Sequence, residues 1–370
     1  MSSPGSAEVL EEADDHTLLD AVVTATCVGR TCVVLDPTWP AGLRAAARVQ
    51  VARHPVGPHR LVLFTSGSTG RPRAVVRTIV SWEASLDPVT TVTGATADDV
   101  VCVPGPLSSS LYLYGAWHAR RLGARVLTAA DDPSSATLVH LVPAQLARLA
   151  GRPSAWPSLR TVVVAGDRLS ASTRCRATDV GWRVVEYYGA AELSFVAWRE
   201  DDGPLRPFPG VRVRVRDGVL WASSPYLAEG YLDDAPGPLR RDGEWATVGD
   251  LAREVEGGLE LLGRGDAAVV TGGHTVVAEE VEAVLLAVPG VNGAVVVGVP
   301  DFRLGEVVTA VVAVEGASRQ DLATGVRRLP PAARPRRWYT VDAVPTTPAG
   351  KPDRSEVRDA VRAGRLTRLR

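Results

Sequence analysis

The chain has 370 residues, 45% hydrophobic and 22% charged, with a formal net charge of -1. That length exceeds what one hydrophobic core usually supports, so two domains are expected, and the near-neutral balance argues against nucleic acid or an anionic membrane surface as partner. No apolar run reaches the roughly 20 residues of a membrane span, and the acidic start MSSPGSAEVLEEADDH has neither leader nor anchor character, so a cytoplasmic protein is expected.

Residues 1–17 read as disordered or weakly docked. From Leu18 to Val51 the pattern predicts a helix, a short strand (Cys32–Leu35), a turn through Asp36-Pro37 and an Arg/Ala helix. Leu61–Phe64 is a compact apolar strand that runs straight into Thr65–Gly70. Strand-sized runs then alternate with helical stretches at Val100–Val103, Arg125–Leu127, Leu138–Leu141, Thr161–Val164 and Val184–Tyr187, which predicts a layered α/β architecture. Between Gly210 and Arg253 short strands with tight turns predict a β-rich subdomain. After Leu262 comes the polar joint GRGD, followed by a helix (Ala278–Leu286), a strand pair around 293–314 and a helix over 320–328. The expected division is residues 1–262, a joint at 263–266, and a small unit over 267–370.

Two compositional facts bear on chemistry. The cysteines Cys27, Cys32, Cys102 and Cys175 form no CxxC pair, so structural zinc is not expected and buried free thiols are. Of 41 basic residues only Lys351 is lysine. Where arginine has replaced lysine wherever a generic positive charge suffices, a retained lysine points to a place that arginine does not serve.

The strongest local signal is Phe64-Thr65-Ser66-Gly67-Ser68-Thr69-Gly70-Arg71-Pro72-Arg73. Small residues let backbone approach a polyphosphate, and hydroxyls with N–H groups form a nest for anionic oxygens. No G-K-[ST] ends it, so it is not a Walker A loop, and a plain surface loop is the alternative for any Gly/Ser/Thr run.

TSGSTGRPR resembles the phosphate-loop signature of the adenylate-forming superfamily, which includes acyl-CoA synthetases, luciferases and peptide-synthetase adenylation domains. Other segments follow in that superfamily's order: Val34-Leu35-Asp36-Pro37-Thr38-Trp39-Pro40, Tyr188-Gly189-Ala190-Ala191-Glu192, Gly249-Asp250, Gly263-Arg264-Gly265-Asp266 with Thr271-Gly272-Gly273, and Pro348-Ala349-Gly350-Lys351. Each is weak alone; six in order are specific. The resemblance implies an α/β adenylate-forming fold: a large layered N-terminal domain abbreviated at its start, a small β-rich subdomain and a small mobile α+β C-terminal domain. It implies ATP-dependent conversion of a small carboxylic acid to acyl-AMP, with pyrophosphate released and the acyl group passed to CoA.

The implied site follows residue by residue. Thr65, Ser66, Gly67, Ser68, Thr69, Gly70 and Arg73 would hold phosphates, Tyr188, Gly189 and Ala190 the adenine side, and Gly166 would also belong to the ATP/AMP site. Asp250 would accept from the ribose hydroxyls, Arg264 would add a ribose or phosphate contact, and Glu192 would hold Mg²⁺ as a hard oxygen ligand. Lys351 would reach the acyl carboxylate and the α-phosphate, where negative charge spreads in the transition state. Asp266 stands at the hinge, and Gly272 and Gly273 would let a pantetheine arm pass in a second pose.

Three departures stand out. Arg73-Ala74 replaces the usual Lys-Gly, Ala191 replaces the common Thr, and Ser109 stands where many relatives carry an aromatic or His at the acyl-pocket mouth. Short enzymes that make o-succinylbenzoyl-CoA share the abbreviated start, and short bacterial acyl-CoA synthetases resemble YYGAAELSFVA more closely. Acyl-CoA ligation is the leading expectation. o-Succinylbenzoate as the acid, a carrier-protein thiol or amine as acceptor, and a nucleotide binder without turnover are the alternatives; homodimerisation is left open. The pocket walls are expected from Leu107–Trp117 and Phe195–Trp198.

Overall fold

The computed structural model describes residues 7–65, 73–233, 237–264, 268–271, 274–346 and 352–369. The described strands form four sheets. In the first, Glu8–Leu10, Cys32–Val34 and Arg60–Thr65 run parallel. Arg73–Thr78 returns antiparallel to Arg60–Thr65, and Gly230–Tyr231 closes its edge. In the second, Arg125–Leu127, Val100–Cys102, Leu138–Leu141, Thr161–Val164 and Arg183–Ala190 are parallel neighbours, with Ser194–Arg199 and Arg206–Pro207 added antiparallel.

Alternation along these strands sorts side chains into layers. Leu61 and Leu63 face one core with Leu18, Leu19 and Val22 of helix Asp15–Cys27 and Leu113, Ala116 and Trp117 of helix Ser110–Leu122. Val62 and Phe64 face the opposite way, onto Ala47 and Val51 of helix Ala41–Arg53. In the second sheet Val163 and Val185 join the first core, while Val162, Val164 and Val184 pack with Leu146 and Ala177 on the far side. Helices Asp15–Cys27 and Ser110–Leu122 therefore lie between two sheets that are each buried on both faces, as parallel sheets require. The ends are set locally: Asp14 accepts from the Thr17 N–H at 2.8 Å to start the first helix, and Gly123, at φ 83°, ends the second in the left-handed conformation.

The third sheet orders Arg240–Asp242, Trp245–Thr247, Val219–Ser223, Asp250–Val255 and Gly258–Arg264, with Arg212–Arg216 beside Val219–Ser223. Its RVRVR strand turns Val213 and Val215 to the core and its arginines to the indoles: Arg214 lies 4.2 Å from the Trp245 ring centre and 5.8 Å from that of Trp221. In the fourth sheet Val291–Asp301 and Gly305–Val314 form the long hairpin, flanked by Ala268–Thr271, His274–Val277, Arg337–Thr340 and Thr367–Arg368. Val296, Val308 and Val312 pack with Val281 and Leu285 of helix Ala278–Leu286, and Val295, Val297 and Val311 with Val357 and Val361 of helix Arg354–Arg362. The change from third to fourth sheet falls between Arg264 and Ala268.

Two expectations are corrected. The stretch after residue 7 is not loosely attached: Glu8–Leu10 pairs in register with Cys32–Val34, and Leu10 is buried. Only two cysteines, Cys32 and Cys102, are buried; Cys27 and Cys175 are exposed on helices. Their helices present them on a polar face, which the cysteine count could not reveal.

Candidate active site

The expected site residues that the structure describes are spread over the first three sheets, with Thr65 and Arg73 in the first, Tyr188 in the second and Asp250 in the third. Arg60–Thr65 ends at Thr65, which pairs in register with Arg73, so the base of the Gly/Ser/Thr loop is fixed by a sheet ladder. Ser66, Gly67, Ser68, Thr69 and Gly70 lie outside the described residues.

Glu192 sits in the connection between Arg183–Ala190 and Ser194–Arg199, where Ala190 pairs with Ser194 and Ser194 takes φ 57°. Its neighbour Gly189 has no room for a side chain: a Cβ there would stand 2.0 Å from the Ser194 carbonyl oxygen. Glu192 is buried, and its backbone carbonyl accepts from the Ala228 N–H at 2.9 Å. One carboxylate oxygen accepts from the Tyr231 hydroxyl at 2.8 Å. Burial, and then the adjoining Glu192 carboxylate, push the Tyr231 phenol up, so it stays protonated and donates. Below them Arg77, fully inside the protein, donates to Ser194 Oγ and to the Tyr226 carbonyl, both at 2.7 Å. Burial lowers its guanidinium to about 10 while Tyr114 and Glu192 oppose the change, so it remains a cation at neutral pH.

The Tyr188 hydroxyl donates to Asp250 Oδ2 at 2.5 Å. Asp250 follows Gly249, whose φ of 82° and N–H bond to Thr247 Oγ1 (3.0 Å) set the turn, and it pairs across the strands with Arg264. Arg264 is placed by its backbone alone. A tyrosine that donates to Asp250 is held at its hydroxyl end, and its ring packs against the first core. Gly166 takes φ 89° just after Thr161–Val164, a conformation that glycine adopts without strain. Two residues on, Arg168 meets Glu280 of helix Ala278–Leu286 at 2.9 Å, linking the second sheet's loops to the C-terminal part.

Lys351, Asp266, Gly272 and Gly273 lie outside the described residues. The chain on either side of the lysine loop is nevertheless closed: Thr346 bridges Pro352, and the Asp353 N–H donates to the Pro345 carbonyl at 2.9 Å. Asp353 then caps helix Arg354–Arg362 through the Glu356 N–H (3.0 Å). Arg354 donates to Glu282 Oε2 at 2.6 Å, while Glu282 Oε1 accepts from the Val296 N–H at 2.7 Å.

The two segments expected to wall the acyl pocket do meet, since the Tyr114 and Phe195 rings stand edge to face at 4.8 Å. Ser109 is the residue before helix Ser110–Leu122, and Tyr112 is tied by its hydroxyl to Gln145 at 2.6 Å. A cavity of about 660 Å³ opens elsewhere, among Arg212, Ser223, Ser224, Leu227 and Arg241, and none of the expected site residues lines it. His118 and His140 are buried and held down to about 4 and about 3, chiefly by desolvation, so both rings are neutral at physiological pH. Among the described residues no group of three or more His, Cys, Asp or Glu could hold a metal alone. The arrangement suits Mg²⁺, which takes one or two carboxylates and fills the rest with phosphate oxygens and water. Sequence reading missed Tyr231, Arg77 and Arg354, because each is defined by partners far away in the chain.

The AMP-binding enzyme family matches residues 6–232, and its C-terminal domain matches residues 280–351. The chain belongs to the AMP-binding enzyme family. It is 32% identical over 330 residues to the uncharacterized acyl-CoA ligase YhfT of Bacillus subtilis, covering 80% of this chain and 67% of that protein. It is 33% identical over 300 residues to 2-succinylbenzoate–CoA ligase of Salmonella typhimurium, covering 77% of this chain and 65% of that one. It thus spans about two thirds of the length of both. Among solved structures, o-succinylbenzoate–CoA synthetase (MenE) of Bacillus subtilis in complex with AMP superposes with a TM-score of 0.82 over 97% of this chain and 89% of that one. At 19% identity, that likeness shows the adenylate-forming fold. Within the family-matched stretch 6–232, Tyr188 lies on strand Arg183–Ala190 and Glu192 in the connection that follows it, and Tyr188 reaches Asp250 across the sheets.

Proposed function

We propose that the protein activates a carboxylic acid with ATP and passes the acyl group to CoA. The observation that carries this reading is the pairing of Tyr188 with Asp250, together with a buried, hydrogen-bonded Glu192 four residues on from Tyr188. On this reading Asp250 would be the ribose acceptor and Glu192 the cation-holding carboxylate. In the first step a carboxylate oxygen attacks the α-phosphorus. The bond from that phosphorus to the bridging oxygen breaks, and its electron pair leaves with pyrophosphate. In the second step the CoA thiolate attacks the acyl carbon, and AMP departs with the electrons of the anhydride C–O bond. Mg²⁺, held by Glu192, would offset phosphate charge.

This chain's own residues do the rest. Thr65 and Arg73 hold the two ends of the phosphate loop, Asp250 fixes the ribose, and Lys351 brings a compact ammonium to the meeting anions. The likeness to 2-succinylbenzoate–CoA ligase supports an acid of small, aryl-bearing type, with o-succinylbenzoate the first to try. We take residues 1–262 as the ATP-binding part, 263–266 as the hinge with Asp266 at its centre, and 267–370 as the moving part. In its second pose Gly272 and Gly273 would admit the pantetheine arm. No described helix is long and apolar enough to cross a membrane, and we place the reaction in the cytoplasm.

Pyrophosphate release measured on a panel of acids, with and without CoA, tests this. Acid-dependent release with acyl-CoA formed is the expected result. Release that yields no acyl-CoA would move the acceptor to a carrier-protein thiol or an amine. ATP binding without release on any acid would sink the enzymatic reading.

A further inference from the structure

Tyr231 stands where three parts of the chain converge. It ends the edge strand Gly230–Tyr231 and pairs with Val75, two residues beyond Arg73 on the strand returning from the phosphate loop. Its hydroxyl donates to Glu192 Oε1 at 2.8 Å and accepts from the Leu239 N–H at 3.4 Å. Its ring passes so close to Gly237 that a Cβ there would stand 2.3 Å from a ring carbon. The segment holding Tyr231 also grips Glu192 at its backbone, through the Ala228 N–H. Both the main chain and the side chain of Glu192 are thus held from one short segment, by Ala228 and by Tyr231, which itself belongs to a different sheet.

A tyrosine needed only to fill space has no use for a carboxylate 39 positions away. The geometry points to Tyr231 as a positioning residue, which binds Oε1 so that Oε2 of Glu192 faces the magnesium ion of bound ATP. This rests on the reading of Glu192 as the carboxylate that holds the cation. Among the described residues Oε2 has no hydrogen-bond partner. Mg²⁺ demands near-octahedral geometry at short range, so a ligand that swings loses much of its grip. Hydrogen bonds from neighbouring groups fix such ligands, and their loss typically weakens metal binding by roughly 10–100-fold.

The test uses the full chain, Mn²⁺ as the probe and α,β-methylene-ATP, whose bridge cannot be cleaved by adenylation. Electron paramagnetic resonance counts free Mn²⁺ in the presence of enzyme and analogue. Tyr231→Phe keeps the ring and removes the hydroxyl, and it is expected to bind Mn²⁺ with the analogue about tenfold more weakly. Its pyrophosphate-release rate should recover at high magnesium, a response that a packing defect would not give. In a Glu192→Gln background the same change should add nothing, because the two residues act through one contact. Wild-type Mn²⁺ binding by Tyr231→Phe, with Glu192→Gln impaired, overturns the proposal alone. Normal binding by Glu192→Gln overturns the reading of Glu192 and the proposal with it. An equal loss of rate by Tyr231→Phe at every magnesium concentration reduces Tyr231 to packing and also overturns the proposal.

Discussion

Tyr188 donates its hydroxyl to Asp250 Oδ2 at 2.5 Å, joining residues 62 positions apart that belong to different sheets. The bond restrains Asp250 before any nucleotide arrives, so less ordering is needed on binding. Tyr188→Phe removes that restraint and keeps the ring. A hydrogen bond to a charged group is worth about 1.5–3 kcal/mol, so the KM for ATP should rise on the order of tenfold or more, with kcat much less affected. Steady-state kinetics at saturating acid decide it. An unchanged KM would mean that the pair is incidental to nucleotide binding.

Gly189 gives the most local prediction. Gly189→Ala drives a methyl onto the Ser194 carbonyl, which is backbone and part of the strand that follows Glu192. Overpacking of this kind costs about 1–3 kcal/mol, and here the displaced atoms belong to the hairpin that carries the candidate metal ligand. The variant should therefore lose adenylation activity out of proportion to its loss of stability. Thermal unfolding and pyrophosphate release, measured together, separate the two. Full activity at reduced stability would show that the hairpin geometry is not critical.

Much of this was legible in the sequence, and the limits have physical causes. The strands Leu138–Leu141 and Thr161–Val164 and the helix Ala278–Leu286 have the bounds that their apolar runs predict, because each is long enough for burial to define both ends. The strand Glu8–Leu10 escaped notice because three residues carry no periodicity, and its pairing with Cys32–Val34 supplies the order. Asp250, Glu192 and Tyr188 were found as motif members, yet the hydrogen bond between Tyr188 and Asp250 follows from no spacing. Glu282 shows the same limit on the other side: nothing within AEEVEAVLL marks it, and the fold buries it against Arg354.

Glu282 also carries a pH prediction. Burial, only partly offset by Arg354, raises its carboxyl from 4.5 to about 6. A carboxyl raised on folding makes the native state bind more protons than the unfolded chain. Its contribution is therefore full below about 4.5 and lost as pH rises through about 6. The step corresponds to roughly 2 kcal/mol. The difference in unfolding free energy between the wild type and Glu282→Gln, followed by denaturant titration, should fall by about that amount between pH 4 and 7. A difference that stays flat, or rises, across this window would refute it.

Lys351 is the only lysine of the chain, and the residues on either side of its loop are tied down by the Thr346–Pro352 bridge, the Asp353 cap and the Arg354–Glu282 pair. This anchoring suits a residue that must arrive at one place for one half-reaction. Arginine keeps the charge but replaces a slim stem and point-like ammonium with a planar fork, which a crowded site at the α-phosphate would not admit. Lys351→Arg should slow adenylation on the order of 100-fold, the scale of losing one placed donor from a developing charge. The same variant, given acyl-AMP made beforehand, should form acyl-CoA at close to the wild-type rate, because on the proposed two-pose reading the lysine would then have left the centre. Single-turnover assays of each half-reaction make the comparison. Equal losses in both would assign Lys351 to the stability of the C-terminal part, and near-normal adenylation would remove it from the reaction centre.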